Sequence, residues 1–331
     1  MAVIGIANQS ALAPSIQDLR QKLDALQTQL GTGKKSLTLG GLGETRSLSL
    51  SLRAEVSQVK GYLSSIGTAK LRLEVTQGAL TRAMDITSER YSALIGSSPE
   101  IDFNGQTQAQ LGAQAGFEEM VSLLNSRVSG RYLFAGRDGQ DPPVEKTDTI
   151  MNGDGTRAGL KQVISERRQA DLGTGDLGRL TVPAALSGVV SVEEDGAGHP
   201  FGFNVTGVTG TLTGTTISAP TGATNKIDFT FSSTLPVAGE QISVATTLPD
   251  GTTGAITLKA TDSATPGQGE FTIGADRDTT ASNFETALKA EIVLQSQTEL
   301  RAASARQATR EFFDFDATTP PQRVSGPGFA T

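Results

Sequence analysis

Ile16, Leu19, Leu23, Leu26 and Leu30 step along the chain by 3, 4, 3 and 4 residues. That spacing puts every apolar side chain on one narrow stripe of an α-helix. A stripe so narrow suits a seam between paired helices better than the broad face of a helix resting on a globular core. Pro14 is expected at the helix start, where its missing N–H is harmless, and Gly31-Thr32-Gly33 at its end. After a turn marked by Gly40, Gly41 and Gly43, a second seam runs through Leu52, Val56, Val59, Leu63, Ile66, Leu73, Leu80, Met84, Tyr91 and Leu94. Lys70 and Gln77 stand on it, and single polar residues there fix register at a cost in stability. Gly61, Gly67 and Gly78 weaken the isolated helix by about 1 kcal/mol each relative to Ala. A third helix is expected over 106–128, with Leu111, Phe117, Met120, Val121, Leu124 and Val128 as its stripe; Ser97-Ser98-Pro99 and Asn104-Gly105 separate it from the second. A pattern this long with so few stops predicts a bundle or coiled coil.

Residues 141–280 read differently. They are rich in Thr, Gly, Ser and Val, with alternating runs at 211–217, 226–231, 241–245, 255–258 and 270–273. Short strands with turn residues between them, Asp250-Gly251 among these, predict a small sandwich or barrel. A helix is expected near 160–168. In 281–331 helix returns: Ser282 and Glu285 form a candidate capping box, followed by Phe284, Leu288, Ile292, Gln295, Leu300, Ala303 and Phe313. From Thr318 the chain should be irregular. The expected fold class is α+β: a long-helix coiled-coil rod or bundle over 1–140, an inserted, outward-facing β-rich domain over 141–280, and over 281–331 a helix returning to the rod plus a Pro/Gly tail.

Charge follows these zones. Residues 1–140 carry 14 basic and 12 acidic side chains, net +2, whereas 141–280 carry 9 and 17, net −8. An acidic middle between near-neutral ends fits a solvated module flanked by packing segments, and it argues against a nucleic-acid partner. With no Cys, disulfides, thiolate metal sites and cysteine nucleophiles are excluded. No signal peptide is expected at the start of the chain. No run approaches the roughly 20 apolar residues that cross a membrane, so membrane insertion is not expected.

Chemistry is sparse. The one histidine, His199, stands in Gly198-His199-Pro200, a loop setting that supports neither an HExxH nor a multi-His metal site; no G-x-S-x-G elbow accompanies it. Gly31-Thr32-Gly33-Lys34-Lys35-Ser36 resembles a phosphate loop only superficially, because Thr28 replaces the first glycine and a leucine seam precedes it. Asn152-Gly153-Asp154-Gly155 is out of EF-hand register, with Ile150 and Lys161 at the end positions; it reads as a solvated acidic turn, as does Glu193-Glu194-Asp195. Arg127, Arg131 and Arg137 read as solvated charge. No enzyme, catalytic residue, metal or cofactor is expected.

One segment carries more. In Gly130-Arg131-Tyr132-Leu133-Phe134-Ala135-Gly136, Tyr132 and Phe134 would put two rings on one face of a short extended stretch, with Gly130 and Gly136 permitting sharp exits. Residues 125–136, followed by Pro142-Pro143, resemble the junction segment of the bacterial flagellin family, most closely its hook-associated, hook–filament junction members of alphaproteobacterial type. That segment follows a long helix and precedes a variable β domain, as here. Residues 26–35, residues 71–83 and Phe312-Phe313 after Ala302-Ala303-Ser304-Ala305 resemble further stretches of the family. The likeness covers 1–143 well, 281–331 loosely and the middle only in composition and place.

The resemblance implies a structural subunit exported without a cleaved signal peptide through the flagellar type III apparatus. It would join hook to filament outside the cell, burying the seam of Ile16, Leu19, Leu23, Leu26 and Leu30 against neighbours. Implied partners are other axial proteins (hook-associated proteins, flagellin and further copies of itself) and an export chaperone. A filament flagellin shares the helices and is the nearest alternative. A surface-binding, adhesive module is an alternative of another class, disfavoured by a β zone with no Trp or Tyr for stacking on sugars. Family members close with a second amphipathic helix that pairs with the first; residues 320–331, with Pro320, Pro321 and Pro327, depart from that pattern.

Overall fold

The computed structural model describes residues 5–96, 107–314 and 323–324. The protein is a mixed helix-and-sheet, α+β chain that divides into two compact units, Met1–Val144 and Glu145–Thr331. The expected breaks at Ser97-Ser98-Pro99 and Asn104-Gly105, and most of the Pro/Gly tail, lie outside the described residues.

The first unit is helical. Helix α1 (Gly5–Thr32) is 28 residues long and contains Pro14 rather than starting at it. Pro14 has no N–H to give to the carbonyl of Ser10, and a helix of this length tolerates one missing i→i−4 bond. Gly33, with φ +64°, ends the helix by donating its N–H to the Gln29 carbonyl at 2.8 Å, the left-handed cap that only glycine adopts freely. Helix α2 (Arg46–Gly96) has 51 residues, about 75 Å at 1.5 Å per residue. Helix α3 (Gln108–Leu124) starts two residues later than expected, behind a capping box. Thr107 Oγ1 accepts from the Gln110 N–H at 3.2 Å and Gln110 Oε1 from the Thr107 N–H at 3.0 Å. Helices α2 and α3 pack together around Ile86, Arg90 and Gly116; a Cβ on Gly116 would come within 3.1–3.2 Å of Arg90 and Ile86, so glycine sets how closely the helices approach. The chain then forms a small hairpin, β1 (Arg127–Val128) and β2 (Arg131–Tyr132).

The second unit begins with helices α4 (Thr147–Asn152) and α5 (Leu160–Leu172). Eight strands follow: β3 (Leu180–Thr181), β4 (Val189–Glu194), β5 (Asn204–Gly210), β6 (Thr215–Ile217), β7 (Ile227–Phe231), β8 (Gln241–Thr247), β9 (Thr253–Thr261) and β10 (Glu270–Thr272). Two helices complete it, α6 (Arg277–Gln297) and α7 (Glu299–Phe313). The strands form two four-stranded sheets, ordered β10-β9-β8-β5 and β3-β4-β7-β6. All neighbours are antiparallel except β9 and β10. Burial alternates strictly along β4, β8 and most of β9, as a sheet with one face on a core requires. Asp250 and Gly251 turn the β8–β9 hairpin; Gly251 sits at φ +83°, and the Asp250 carboxylate accepts from the Thr252 hydroxyl at 2.6 Å.

Helix α6 belongs to the second compact unit. Phe284, Leu288 and Ile292 lie in the core shared by both sheets. The Phe284 ring meets Phe229 and Phe231 of one sheet at 5.0 and 5.4 Å and Phe271 of the other at 5.1 Å, tilted and edge-on as aromatic quadrupoles favour. The sandwich therefore contains a helix. Physically, two short sheets leave apolar area uncovered, and this helix supplies the missing layer. The cap also differs. Asp276, not Ser282, is the N-cap, its carboxylate accepting from the Thr279 N–H at 2.7 Å. Glu285 instead reaches the Ala185 N–H at 2.8 Å. Thr298, with φ −112° and ψ −84°, breaks the expected continuous helix into α6 and α7.

Candidate functional site

The seam sits on α1 as its spacing demands, and it is bare. Ile16, Leu19, Leu23, Leu26 and Leu30 are 54, 62, 52, 60 and 90% exposed. The same holds along α2, where Leu52, Val56, Val59, Leu63, Ile66, Leu73, Leu80, Met84, Tyr91 and Leu94 are all exposed. Scattered surface leucines are ordinary, whereas contiguous exposed apolar stripes are the kind of surface that interfaces use. Among the described residues no coiled coil is formed around this seam. Helix α2 packs against α3. Arg82 forks onto Glu119 at 2.6 and 3.0 Å and reaches Glu89 at 3.2 Å. The Glu119 carboxyl lies below its ordinary range, chiefly because of the Arg82 bonds.

The junction segment is built from a tight turn. Ser129 and Gly130 both have positive φ, 53° and 77°, the primed turn whose twist suits a two-residue hairpin. Arg127 pairs with Tyr132, and Val128 with Arg131. The Arg127 guanidinium lies 3.9 Å from the Tyr132 ring centroid, a cation–π contact. The Leu133 N–H bonds back to the Ser126 carbonyl at 3.1 Å, and the Tyr132 N–H to Gly139 at 2.9 Å. A Cβ at Gly139 would meet Arg131 Nε at 2.6 Å, so any larger residue there would displace the Arg131 side chain.

The expectation of two rings on one extended face is corrected. The strand ends at Tyr132; Leu133, Phe134 and Ala135 bend, and Gly136 turns at φ +63°. Turn chemistry at Ser129-Gly130 and Gly136 outweighs the alternation of Tyr132 and Phe134. Arg127 and Arg131 are not simply solvated either: one stacks on Tyr132 and the other donates to the Arg137 carbonyl at 3.1 Å.

Sequence reasoning missed Asn125. Ending α3, it clamps the backbone of Val144, giving Nδ2 to the carbonyl at 3.0 Å and accepting the N–H on Oδ1 at 3.2 Å. Its signal was an Asn at a helix C-terminus, but the partner, 19 residues on, was not readable locally. Also missed was a buried charge cluster in the second unit. Arg167 bonds Asp171 at 3.1 Å, Glu311 at 2.9 and 3.1 Å, and the Pro200 carbonyl at 2.9 Å. Burial pushes the Asp171 carboxyl above its ordinary value, opposed by Arg167, the Ser304 hydroxyl and the Gly202 N–H. His199, in the β4–β5 loop, is mostly buried with Nε2 3.3 Å from Asp195, which also pairs with Arg179 at 2.8 Å.

Gly31-Thr32-Gly33 ends a helix and so offers no helix N-terminus to a phosphate. Asp154 is occupied by the Thr156 and Arg157 N–H groups at 3.0 and 2.8 Å and by the Arg157 guanidinium. Among the described residues no cluster of His, Asp or Glu is arranged to hold a metal, and no helix is long and apolar enough to cross a membrane. Compared with protein-family models, curated proteins and solved structures, the chain matches none.

Proposed function

We propose that this protein is a structural subunit of the bacterial flagellum, of the hook-associated protein 3 type, which joins hook to filament. It acts by packing, not catalysis. The observation that carries this reading is the exposed seam of Ile16, Leu19, Leu23, Leu26 and Leu30 on a long helix, together with a second exposed stripe along α2. Burying such stripes against neighbours yields about 25 cal/mol per Å² of apolar surface, and heptad spacing selects helical partners. In this reading α1 and α2 form a coiled-coil rod only once neighbours supply the facing helices. Those neighbours are hook-associated proteins, flagellin or further copies, reached after export outside the cell, with a chaperone covering the seam beforehand. The Gly130–Gly136 segment supports the same family by its letters and by its place between the helices and the β-rich unit.

Electron microscopy of a deletion strain tests the proposal. The expected result is retained hooks with flagellin lost to the medium. Intact filaments would overturn it.

A further inference from the structure

Arg323 and Val324 lie against α5. Arg323 forks onto Glu166, with Nε 2.7 Å from Oε2 and Nη2 on Oε1. Val324 is buried in a small apolar cluster with Ala170 and Phe201. Glu166 and Ala170 are one helical turn apart, so one face of α5 offers a carboxylate next to an apolar notch.

That face is held in shape by groups other than Arg323 and Val324. Gln162 Nε2 donates to Glu166 Oε1 at 3.2 Å. The Phe201 ring carries the Arg167 guanidinium 4.7 Å from its centroid. Arg167 is itself fixed by Asp171, Glu311 and the Pro200 carbonyl, and the Gly202 N–H bonds Asp171 at 3.0 Å. A guanidinium fork on a carboxylate is geometrically selective, and a preformed site avoids an ordering cost on binding.

We propose that this face of α5, formed by Glu166 and Ala170 with Phe201 of the β4–β5 loop beside them, is a peptide-binding site for an arginine followed by an aliphatic residue, filled in this chain by its own Arg323-Val324. The short link from α7 holds the occupant at an effective concentration on the order of millimolar. A peptide of the same sequence therefore gains the site only when the resident pair is disabled.

The test uses the full chain and a fluorescent synthetic peptide of residues 318–331. In the variant Arg323→Glu/Val324→Asp, saturable binding by anisotropy is expected, with wild type at least tenfold weaker and the peptide carrying Arg323→Glu inactive. Adding Glu166→Arg to the variant should abolish binding of the native peptide. Equal affinity for wild type and variant, or no binding to a variant whose circular dichroism and melting match wild type, would falsify the proposal. A second measurement does not depend on that variant folding. Tryptic cleavage after Arg323 should be at least tenfold faster in Glu166→Gln than in wild type, and an unchanged rate counts against the site.

Discussion

Single side chains hold the turns and buried charges of this protein in place. Asn125 satisfies both backbone groups of Val144, and stranding buried polar groups costs about 1–3 kcal/mol. Asn125→Ala should therefore speed hydrogen exchange at the Val144 amide at least tenfold, measured by NMR. Arg167 is more exacting, because Asp171 is fully buried beside it. Removing one member of a buried pair leaves an uncompensated charge, so Arg167→Leu should destabilise the second unit by about 3–5 kcal/mol in urea. Acid should act on the same unit through its other carboxylates. Glu166 lies below its ordinary value first through Arg323, and Asp228 first through the Ser191 hydroxyl. For Glu285 burial acts upward, but Lys289 and the Ala185 N–H outweigh it, and the net direction is down. Depressed folded values mean that the unfolded chain binds protons first. These groups contribute stability above their unfolded values, about pH 4–4.5, and lose it as pH falls through the folded values. The melting temperature of the second unit should fall between about pH 5 and pH 3, less steeply in Asp228→Asn; a flat profile would contradict the assignment.

Among elements, α6 matters most. Phe284 is fully buried between both sheets, and Phe→Ala in a core costs about 3–5 kcal/mol. Phe284→Ala should remove much of the cooperative transition of the second unit in a denaturant melt. Its apolar spacing was legible: Phe284, Leu288 and Ile292 read as one face. What that face would meet was not, because periodicity names a buried side without naming its neighbour. The runs 226–231, 241–245, 255–258 and 270–273 became β7 to β10 nearly in place. Strands β4 and β5 went unread, since Val189–Glu194 ends in two acids, of which Glu194 is buried and accepts from the Val205 N–H and Asn225 of later segments. On α2, Gly61, Gly67 and Gly78 have open space where a Cβ would stand. Gly67→Ala should stabilise that helix by about 1 kcal/mol, read as increased helicity by circular dichroism.

The whole chain joins two units of opposite habit, one that buries its apolar residues and one that displays them. Displayed seams predict association. Full-length protein should self-associate with rising concentration in sedimentation experiments, and Leu23→Glu/Leu26→Glu should weaken this at least tenfold. The melt of the second unit should be unchanged, because neither residue belongs to its core. A monomer at all concentrations would remove self-packing from the proposed partners. The seam on α1 and the α+β mixture were determined by the sequence itself, because a heptad stripe and strand alternation are local periodicities that survive without knowledge of the fold. The Asn125 clamp, the burial of Arg167 and the capture of α6 between two sheets were decided only in the tertiary structure. Each depends on groups far apart along the chain, and which distant surface covers a given face is set by the packing of the whole unit.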